Sequence, residues 1–498
     1  MNFEFDPYRV LGVSLGAQPE DIKKAYRNLA RRLHPDTNQN NPGASIQFKD
    51  VTTAYELLID PDRRRAYDDQ TRRRKTDDEM YFTLRVTPIA RRLTALPEPQ
   101  VTYLLAELFP DPRATETETK RESRLNLTLV LDHSNSMAGT RLEKLKIAAH
   151  QLVDQMSQTD ILSVVIFNDR AEVIIPATYV KDKPALKAKI SMMVAAGGTE
   201  IYHGLSKGVE QNRTYLGPRL VNHVILLTDG HTFGDQERCL ELAQTAAKEG
   251  ISISALGLGH DWNDQFLDSI ASKTGGTSEF INSPSGIVRF LNDHVKNLAN
   301  GFAERVRLSV ATDPDVQLEL AFRIAPNPQP LEQENGYIAL GSLQANRSIA
   351  VLLQFQLPGE MQPGYRSVAR LLAVGDVLQN RNQTMQEVSD IELQVSSEAN
   401  HDEPPSVILE ALSKLTLYRL QERAQEAVEA GDVHEATRRL ENLATRLLAL
   451  GQEELAGQAL SEARRVAHTR DLSDKGRKTL KYQTRHLLLS SSTGDSSE

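Results

Sequence analysis

The 498-residue sequence has a single cysteine and a single tryptophan, and it lacks long apolar runs. The one cysteine, Cys239, cannot form an intrachain disulfide, which suits a reducing cytoplasm. No stretch of about 18 apolar residues occurs, so we expect no transmembrane helix. The N-terminus has no basic segment followed by an apolar run, so we expect no signal peptide. These absences predict a cytoplasmic protein.

The charge balance argues against nucleic acid as a partner. The chain has 58 basic and 67 acidic residues, which gives a net charge of −9. Aromatic residues make up 5% of the chain, too few to predict a stacking platform for bases. With 40% apolar and 25% charged residues, the composition is that of a globular protein. The length predicts roughly three domains of about 150 residues each.

Residues 6–69 have the pattern of a compact helical module, which we assign to a domain over 1–70. Pro19 fits the first turn of a helix with one apolar and one basic face. The helix is expected to end at His34, because Pro35 disfavours helical geometry in the residue before it. A polar loop from Asp36 to Ala44 then leads to a second apolar helix. The basic face carries Lys23, Lys24, Arg27, Arg31 and Arg32.

The tripeptide His34-Pro35-Asp36 lies between these helices, with DPYRVLGV before it and AYELLIDPDRRRAYD after it. With both flanks, the module resembles the J-domain of DnaJ-type co-chaperones. The resemblance implies that this loop and the basic face bind a DnaK-family chaperone and stimulate its ATP hydrolysis. A basic helix face also suits an acidic partner surface. The alternative is a proline-terminated loop beside a solvated helix face. The residues implied in chaperone binding are His34, Pro35, Asp36, Lys23, Lys24, Arg27 and Arg31.

The chain departs from the full co-chaperone pattern after residue 70. It has no glycine- and phenylalanine-rich linker, and one cysteine cannot build a zinc-binding module. The usual client-binding parts are therefore absent. Residues 71–123 contain charged linkers and two strand-like runs, YFTLRVTP and VTYLLAELFP. We expect these two runs to join an antiparallel β-sandwich, which strand and turn patterns predict over 301–400.

Alternating strand and helix patterns over 124–300 predict an α/β domain with a mostly parallel, doubly wound sheet. This domain is expected to be inserted in, or to lie next to, the sandwich. Its first strand, LTLVL, stops at Asp132, and Ser134 and Ser136 follow before a helix that begins near Arg141. Open α/β folds bind ligands at the carboxyl ends of their strands. The sequence therefore predicts a ligand-binding edge at this loop.

Two more loops are expected at the same edge of the sheet. Thr199 follows Gly197-Gly198 before a helix, and Asp229 ends a strand in LLTDG. Together with Asp132 and the two serines they offer only oxygen atoms, the ligands that Mg²⁺ prefers. Mn²⁺ and Ca²⁺ are the alternative ions. A further ligand position would suit an acidic group of a partner. The opposing interpretation is that Asp132, Ser134 and Thr199 merely cap helix N-termini.

The segments DHSNS, GGTEIYHGL and LLTDG, in this order, resemble a von Willebrand factor type A domain with its metal-ion-dependent adhesion site. The resemblance implies that Ser134 and Ser136 bind the metal directly. It also implies that Asp132, Thr199 and Asp229 bind it directly or through water. No pair of a base and a nucleophile can be argued from the sequence, so we expect no enzyme.

The remaining chain is helical in pattern over 401–490, with short loops that predict a helical bundle, and its polar tail, 491–498, is expected to be disordered. The resulting hypothesis is a J-domain co-chaperone that stimulates a DnaK-family chaperone. Its type A domain would hold an unknown protein client through a metal ion and an acidic client residue. The alternative is a metal-dependent protein-binding scaffold, or a partner of an AAA+ ATPase, without co-chaperone activity.

Overall fold

The structure of the chain is a computed structural model. It describes residues 7–11, 13, 17–33, 42–65, 67, 81–116, 124–217, 220–230, 232, 234–259, 262–281, 283–334, 336–378, 384–400 and 402–490. The tail that was expected to be disordered, 491–498, and most of the first charged linker lie outside these residues. Within the described parts of the chain, none of the helices combines the length and the apolarity that crossing a membrane requires.

The N-terminal module consists of helices that pack around one small apolar core. They are α1 (Pro7–Leu11), α2 (Pro19–Leu33) and α3 (Pro42–Ile59). Helix α3 begins at Pro42, so the polar loop that was expected to reach Ala44 is shorter. The core is formed mainly by Tyr8, Leu11, Ile22, Val51, Ala54 and Leu58. The apolar stripe of α2 therefore faces α3, as the helical spacing predicted.

The two strand-like runs after the linker are strands of a sandwich that the chain completes much later. Before the α/β domain come β1 (Thr83–Pro88), β2 (Arg92–Thr94), β3 (Gln100–Phe109) and the short helix α4 (Arg113–Glu116). The sequence did not indicate β2, and it treated the α4 segment as part of a linker. Strand β1 pairs with β3 in antiparallel fashion.

The α/β domain has a central sheet with helices on both faces. Its strands are β4 (Arg124–Asp132), β5 (Ile161–Phe167), β6 (Ala171–Tyr179), β7 (Leu220–Thr228), β8 (Ser252–Leu258) and β9 (Ser278–Ile281), in the order β6-β5-β4-β7-β8-β9. Only β6 runs antiparallel to its neighbour. The helices are α5 (Thr140–Gln155), α6 (Lys183–Ser191), α7 (Ile201–Arg213), α8 (Gln236–Lys248), α9 (Asp264–Thr274) and α10 (Pro284–Ala299). The predicted doubly wound fold is confirmed.

The sandwich continues directly after α10. Its later strands are β10 (Gly301–Thr312), β11 (Gln317–Ala325), β12 (Gln329–Leu331), β13 (Gln333–Glu334), β14 (Tyr337–Gln344), β15 (Ile349–Leu357), β16 (Gly364–Val377) and β17 (Thr384–Ser396). One sheet has the order β1-β3-β15-β11-β12 and the other β13-β14-β10-β16-β17-β2. Because β3 pairs with β15 over its whole length, the α/β domain is an insertion in the sandwich.

The C-terminal helices are α11 (Ser406–Glu429), α12 (Val433–Ala449), α13 (Glu453–Thr469) and α14 (Asp474–Ser490). They form the predicted bundle, with a core of leucines and alanines. Two of them also contact other domains. Helix α11 places Ile408 and Leu415 against the sandwich, and α14 places Tyr482 in the core of the α/β domain. The bundle is therefore attached to both neighbours, which the helical pattern alone did not indicate.

Candidate metal-binding site

Asp132 lies at the carboxyl end of β4, in the middle of the α/β sheet, and its side chain is fully buried. Its Oδ1 atom accepts a hydrogen bond from the backbone N–H of Ser134 at 2.8 Å. Its Oδ2 atom accepts one from the hydroxyl of Thr228, at the end of β7, at 2.7 Å. The carboxylate is thus held between two adjacent parallel strands, with its position set by both.

The hydroxyl groups of Ser134 and Ser136 connect the region of Asp132 to a second aspartate, Asp229. The Ser134 and Ser136 Oγ atoms are 2.9 Å apart. The Ser136 hydroxyl donates to Asp229 Oδ1 at 2.6 Å. Asp229 follows β7 directly, because that strand ends at Thr228. The structure therefore brings two serine hydroxyls and two carboxylates from neighbouring loops to one edge of the sheet.

Thr199 reaches the same edge through the loop before α7. The backbone N–H of Ala196 donates to the His133 carbonyl at 2.8 Å, and that of Asn135 donates to the Gly197 carbonyl at 3.1 Å. A side chain on Gly230 would place its Cβ 3.1 Å from the Thr199 hydroxyl oxygen. Glycine after Asp229 thus leaves room for Thr199. All five residues singled out in the sequence converge here.

The capping interpretation does not agree with the helix ends. The residue at the N-terminal cap of α5 is Gly139, and that of α7 is Glu200. Ser134 does precede the short 3₁₀ turn Asn135–Met137, but its side chain makes no capping hydrogen bond there. Asp132, Ser134 and Thr199 are therefore turned toward a shared site instead of serving separate helix ends.

The electrostatics of this edge favour a cation. Burial raises the pKa of the Asp132 carboxyl, and the nearby charge of Asp229 adds to the rise. A divalent ion would supply the opposite charge that these carboxylates need. Across the described residues, no three His, Cys, Asp or Glu side chains come together to hold a metal. The oxygen atoms that converge at this edge belong to two carboxylates and three hydroxyls, which are hard ligands and would fit Mg²⁺ better than a softer ion.

Arg141, in the first turn of α5, is a member of this site that the sequence analysis treated only as a helix start. Its Nη1 atom lies 2.5 Å from Asp229 Oδ2. A signal for it exists in the sequence, because the first turn of a helix favours acidic residues and disfavours cations. A basic residue there, nine positions after a buried aspartate, indicates a carboxylate partner elsewhere in the fold.

The second predicted site lies on the N-terminal module. Lys24, Arg27 and Arg31 are exposed on α2, on the side away from the buried Ile22. Lys23 is partly exposed, and its Nζ lies 3.6 Å from a carboxylate oxygen of Glu20. The loop residues His34, Pro35 and Asp36 lie outside the described part of the chain.

Comparison with protein families finds three matches in the chain, none of which covers the β-sandwich. The DnaJ domain family matches residues 6–68, and the von Willebrand factor type A domain family matches residues 126–293. The Sll0103-like, C-terminal alpha-helical domain family matches residues 406–490. The motifs of the sequence indicate the first two families, whereas the helical pattern over 401–490 indicates only a bundle and not the third family.

Curated relatives match very different lengths of the chain. The protein sll0103 of Synechocystis sp. is 29% identical over 377 residues, which cover 74% of this chain and 89% of that protein. The chaperone protein DnaJ of Carboxydothermus hydrogenoformans is 54% identical over 63 residues, which cover 13% of this chain and 16% of the chaperone. The chaperone match therefore concerns the DnaJ domain alone.

Solved structures share the fold of the larger part of the chain. A von Willebrand factor type A protein from Catenulispora acidiphila has a TM-score of 0.65 at 17% identity, covering 82% of this chain and 98% of that one. The ArnB paralog VWA2 from Sulfolobus acidocaldarius has a TM-score of 0.50 at 13% identity, covering 81% and 98%. The chain is thus a fusion of a DnaJ domain, a von Willebrand factor type A domain and an Sll0103-like C-terminal helical domain.

Proposed function

We propose that this protein is a co-chaperone that brings a DnaK-family chaperone to a protein held by its type A domain. The observation that carries the proposal is the convergence of Asp132, Ser134, Ser136, Thr199 and Asp229 at one sheet edge, on a chain that also has a DnaJ domain. The proposal contains no catalytic step. We place this function in the cytoplasm, because a chain with a single cysteine cannot form an intrachain disulfide and suits a reducing compartment.

The DnaJ domain supplies the chaperone contact in this proposal. Its α2 presents exposed cations on one face while the opposite face packs on α3. Such a face attracts an acidic surface of the chaperone and orients the encounter. By analogy with DnaJ domains, His34, Pro35 and Asp36 then stimulate ATP hydrolysis by the bound chaperone.

The type A domain binds the client in this proposal. The Ser134 and Ser136 hydroxyls would bind Mg²⁺ directly, and Asp132, Thr199 and Asp229 would bind it directly or through water. Mn²⁺ and Ca²⁺ are the alternative ions, because they also bind oxygen donors. When bound, the ion supplies a Lewis-acidic position for one more oxygen ligand. A carboxylate of the client fills that position in this proposal.

The chaperone half is tested by the steady-state ATPase rate of a DnaK-family chaperone with the full chain added. Wild type is expected to raise the rate, and His34→Gln is expected to abolish the increase. Arg63→Gln, at an exposed position beyond α3, serves as the control and keeps the stimulation. No stimulation by wild type, or equal stimulation by His34→Gln, would contradict the co-chaperone role.

The client half is tested by affinity capture with the full chain in Mg²⁺ and in EDTA. Partners that bind only in Mg²⁺ and are lost with Asp132→Ala support the adhesion role. If such partners are captured but the ATPase rate never responds, the protein is a metal-dependent scaffold instead. If the partner captured in this way is an AAA+ ATPase, the chain assists that enzyme.

A further inference from the structure

Arg141 is a charged residue that contacts the proposed metal site and that no ligand assignment includes. Its Nη1 atom lies 2.5 Å from Asp229 Oδ2 and 3.3 Å from the Ser136 carbonyl oxygen. The Asp229 side chain is fully buried, and the Arg141 side chain is 38% exposed. On its other side, the guanidinium lies against Gly259, where an added Cβ would stand 3.0 Å from Nη2. The arginine thus spans two loops of the site edge and remains open to solvent.

The position of this side chain is determined by the carboxylate and not by the helix. Arg141 is the second residue of α5, where the positive end of the helix dipole repels a cation. The pairing with Asp229 overcomes that repulsion. Because Asp229 also accepts from the Ser136 hydroxyl through Oδ1, each of its oxygens has one partner within the protein.

A charge count shows what Arg141 does to the site. Asp132 and Asp229 contribute two negative charges, and Arg141 contributes one positive charge, so the three side chains sum to −1. A divalent ion changes the sum to +1. Without the arginine the corresponding values are −2 and 0. Arg141 therefore opposes the entry of the metal, and it makes the loaded site positive toward an incoming carboxylate.

We infer that Arg141 is a specificity-determining residue of this site that weakens metal binding and strengthens the binding of a carboxylate to the metal-loaded protein. The inference rests on the proposed function for the presence of the metal. Its two effects have opposite signs. Removal of a residue that only stabilised the fold would weaken both metal binding and carboxylate binding. Removal of Arg141 is expected to strengthen the first and weaken the second, and this difference separates the two roles.

The first measurement is calorimetric titration of the full chain with Mg²⁺ alone. Arg141→Gln removes the charge and is expected to raise the association constant by about tenfold at low salt, as the loss of one nearby like charge predicts. Arg141→Lys keeps the charge and gives a smaller change. Lys144→Gln, three residues further along α5, is the matched control and leaves the constant as in wild type. Equal or weaker Mg²⁺ binding by a folded Arg141→Gln overturns the inference.

The second measurement uses acetate as the carboxylate probe. Acetate is added at constant ionic strength in exchange for chloride, and the Mg²⁺ association constant is measured again. Linkage requires that a carboxylate which binds the loaded site raises the apparent Mg²⁺ affinity. The increase is expected in wild type and is expected to be several-fold smaller in Arg141→Gln, a magnitude that follows from the loss of one positive charge. An undiminished increase in Arg141→Gln overturns the inference.

Absence of the metal site and absence of the Arg141 effect give different results in these measurements. If neither wild type nor any Arg141 variant binds Mg²⁺, the proposed metal function is wrong and this inference with it. If wild type binds Mg²⁺ and loses it in Asp132→Ala, but Arg141→Gln changes neither measurement, only the role of Arg141 is wrong.

Discussion

Two pairs of aspartates with little exposure to solvent in the type A domain have opposite electrostatic surroundings. Asp132 and Asp229, at the carboxyl edge of the sheet, have Arg141 as their cationic neighbour. Asp264 and Asp268, on α9, face a group of cations that α14 brings from the C-terminal helical domain. Asp264 pairs with Arg477, whose Nη1 lies 2.5 Å from Oδ1, and with Lys481, whose Nζ lies 2.5 Å from Oδ2. Asp268 pairs through Oδ2 with Lys481 Nζ at 2.8 Å and with Arg485 Nη2 at 2.7 Å.

The pKa shifts of Asp132 and Asp268 follow from this difference. Burial raises the pKa of the Asp132 carboxyl, and the charge of Asp229 raises it further. Burial also acts to raise the pKa of Asp268, but the charges of Arg485 and Lys481 outweigh it and hold the pKa well below its usual range. The pair with surplus cations joins two domains, whereas the pair with one cation for two carboxylates keeps a net negative charge that a cation from solution would offset.

Helix α14 makes further contacts with the type A domain beyond these ion pairs. Helix α14 also places Tyr482 beside Trp262 and Phe280, and its Lys478 Nζ donates to the Trp262 carbonyl at 2.5 Å. The Trp262 ring N–H in turn donates to the carbonyl of Gly259, the residue that contacts Arg141. The C-terminal helix thus supports the loop that borders the candidate metal site.

The largest effect is expected from Asp268→Asn. This change leaves Arg485 and Lys481, whose side chains are almost fully buried, with one carboxylate fewer. Uncompensated buried charge costs about 3–5 kcal/mol, so urea unfolding should show a loss of that order. Hydrogen exchange in α14 should rise with it. The control is Asp474→Asn, which affects a 74% exposed carboxylate beside Arg477 and should cost less than about 1 kcal/mol. Equal losses in both variants would remove the distinction between the two aspartate pairs.

Asp132→Ala should affect binding more than folding. The Mg²⁺ association constant is expected to fall by at least about 100-fold, because a buried member of the donor set is lost. The free energy of unfolding without metal should fall by only about 1–3 kcal/mol, since the Ser134 N–H and Thr228 hydroxyl lose their acceptor.

The matched control for Asp132 is Asp160→Ala, at the opposite edge of the same sheet. Asp160 is equally buried and accepts hydrogen bonds from the backbone N–H groups of Leu125 and Ser157. It should reduce stability while Mg²⁺ affinity is unchanged. Loss of Mg²⁺ binding in both variants would mean that the effect of Asp132 is general unfolding.

Acid should weaken the α14 contact in a predictable direction. The pKa values of Asp264 and Asp268 are lowered in the folded state, because the neighbouring cations outweigh burial. Their stabilisation is therefore fully present above the unfolded pKa of about 3.9 and is lost as the pH falls toward the folded values. The stability difference between wild type and Asp268→Asn, measured by urea unfolding from pH 7 to pH 2, should shrink below about pH 4. A constant difference over that range would contradict this account.

The smallest effect is expected from Ser136→Ala. Its hydroxyl bonds to Ser134 and Asp229 but lies at an exposed position, so unfolding should change by less than about 1 kcal/mol. Mg²⁺ affinity should still fall by about tenfold. The exposed Ser191→Ala, at the end of α6, should leave both quantities unchanged. A stability loss as large as that of Asp268→Asn would show that the serine is structural.

Much of the fold was predictable because it depends on local patterns. The continuous apolar strand before Asp132, the alternation of strands and helices, and the amphipathic α2 are all visible in the sequence. Strand β2 was missed because it has three residues and pairs only with the distant β17. The attachment of α14 to α9 was missed for a similar reason, since Asp264 and Lys481 are far apart in sequence and helix periodicity says nothing about which domain a face contacts.

By itself the sequence determined the fold class of each domain and pointed to the five oxygen-bearing residues, because strand ends, turns and helical stripes are local properties. The tertiary structure alone decided that those five side chains meet, that none of the three suspected residues occupies the N-terminal cap of an α-helix, and that Arg141 pairs with Asp229. It also decided which aspartates have a surplus of cations and which have too few. Charge balance at a buried carboxylate depends on every element that packs around it, and only the folded chain brings those elements together.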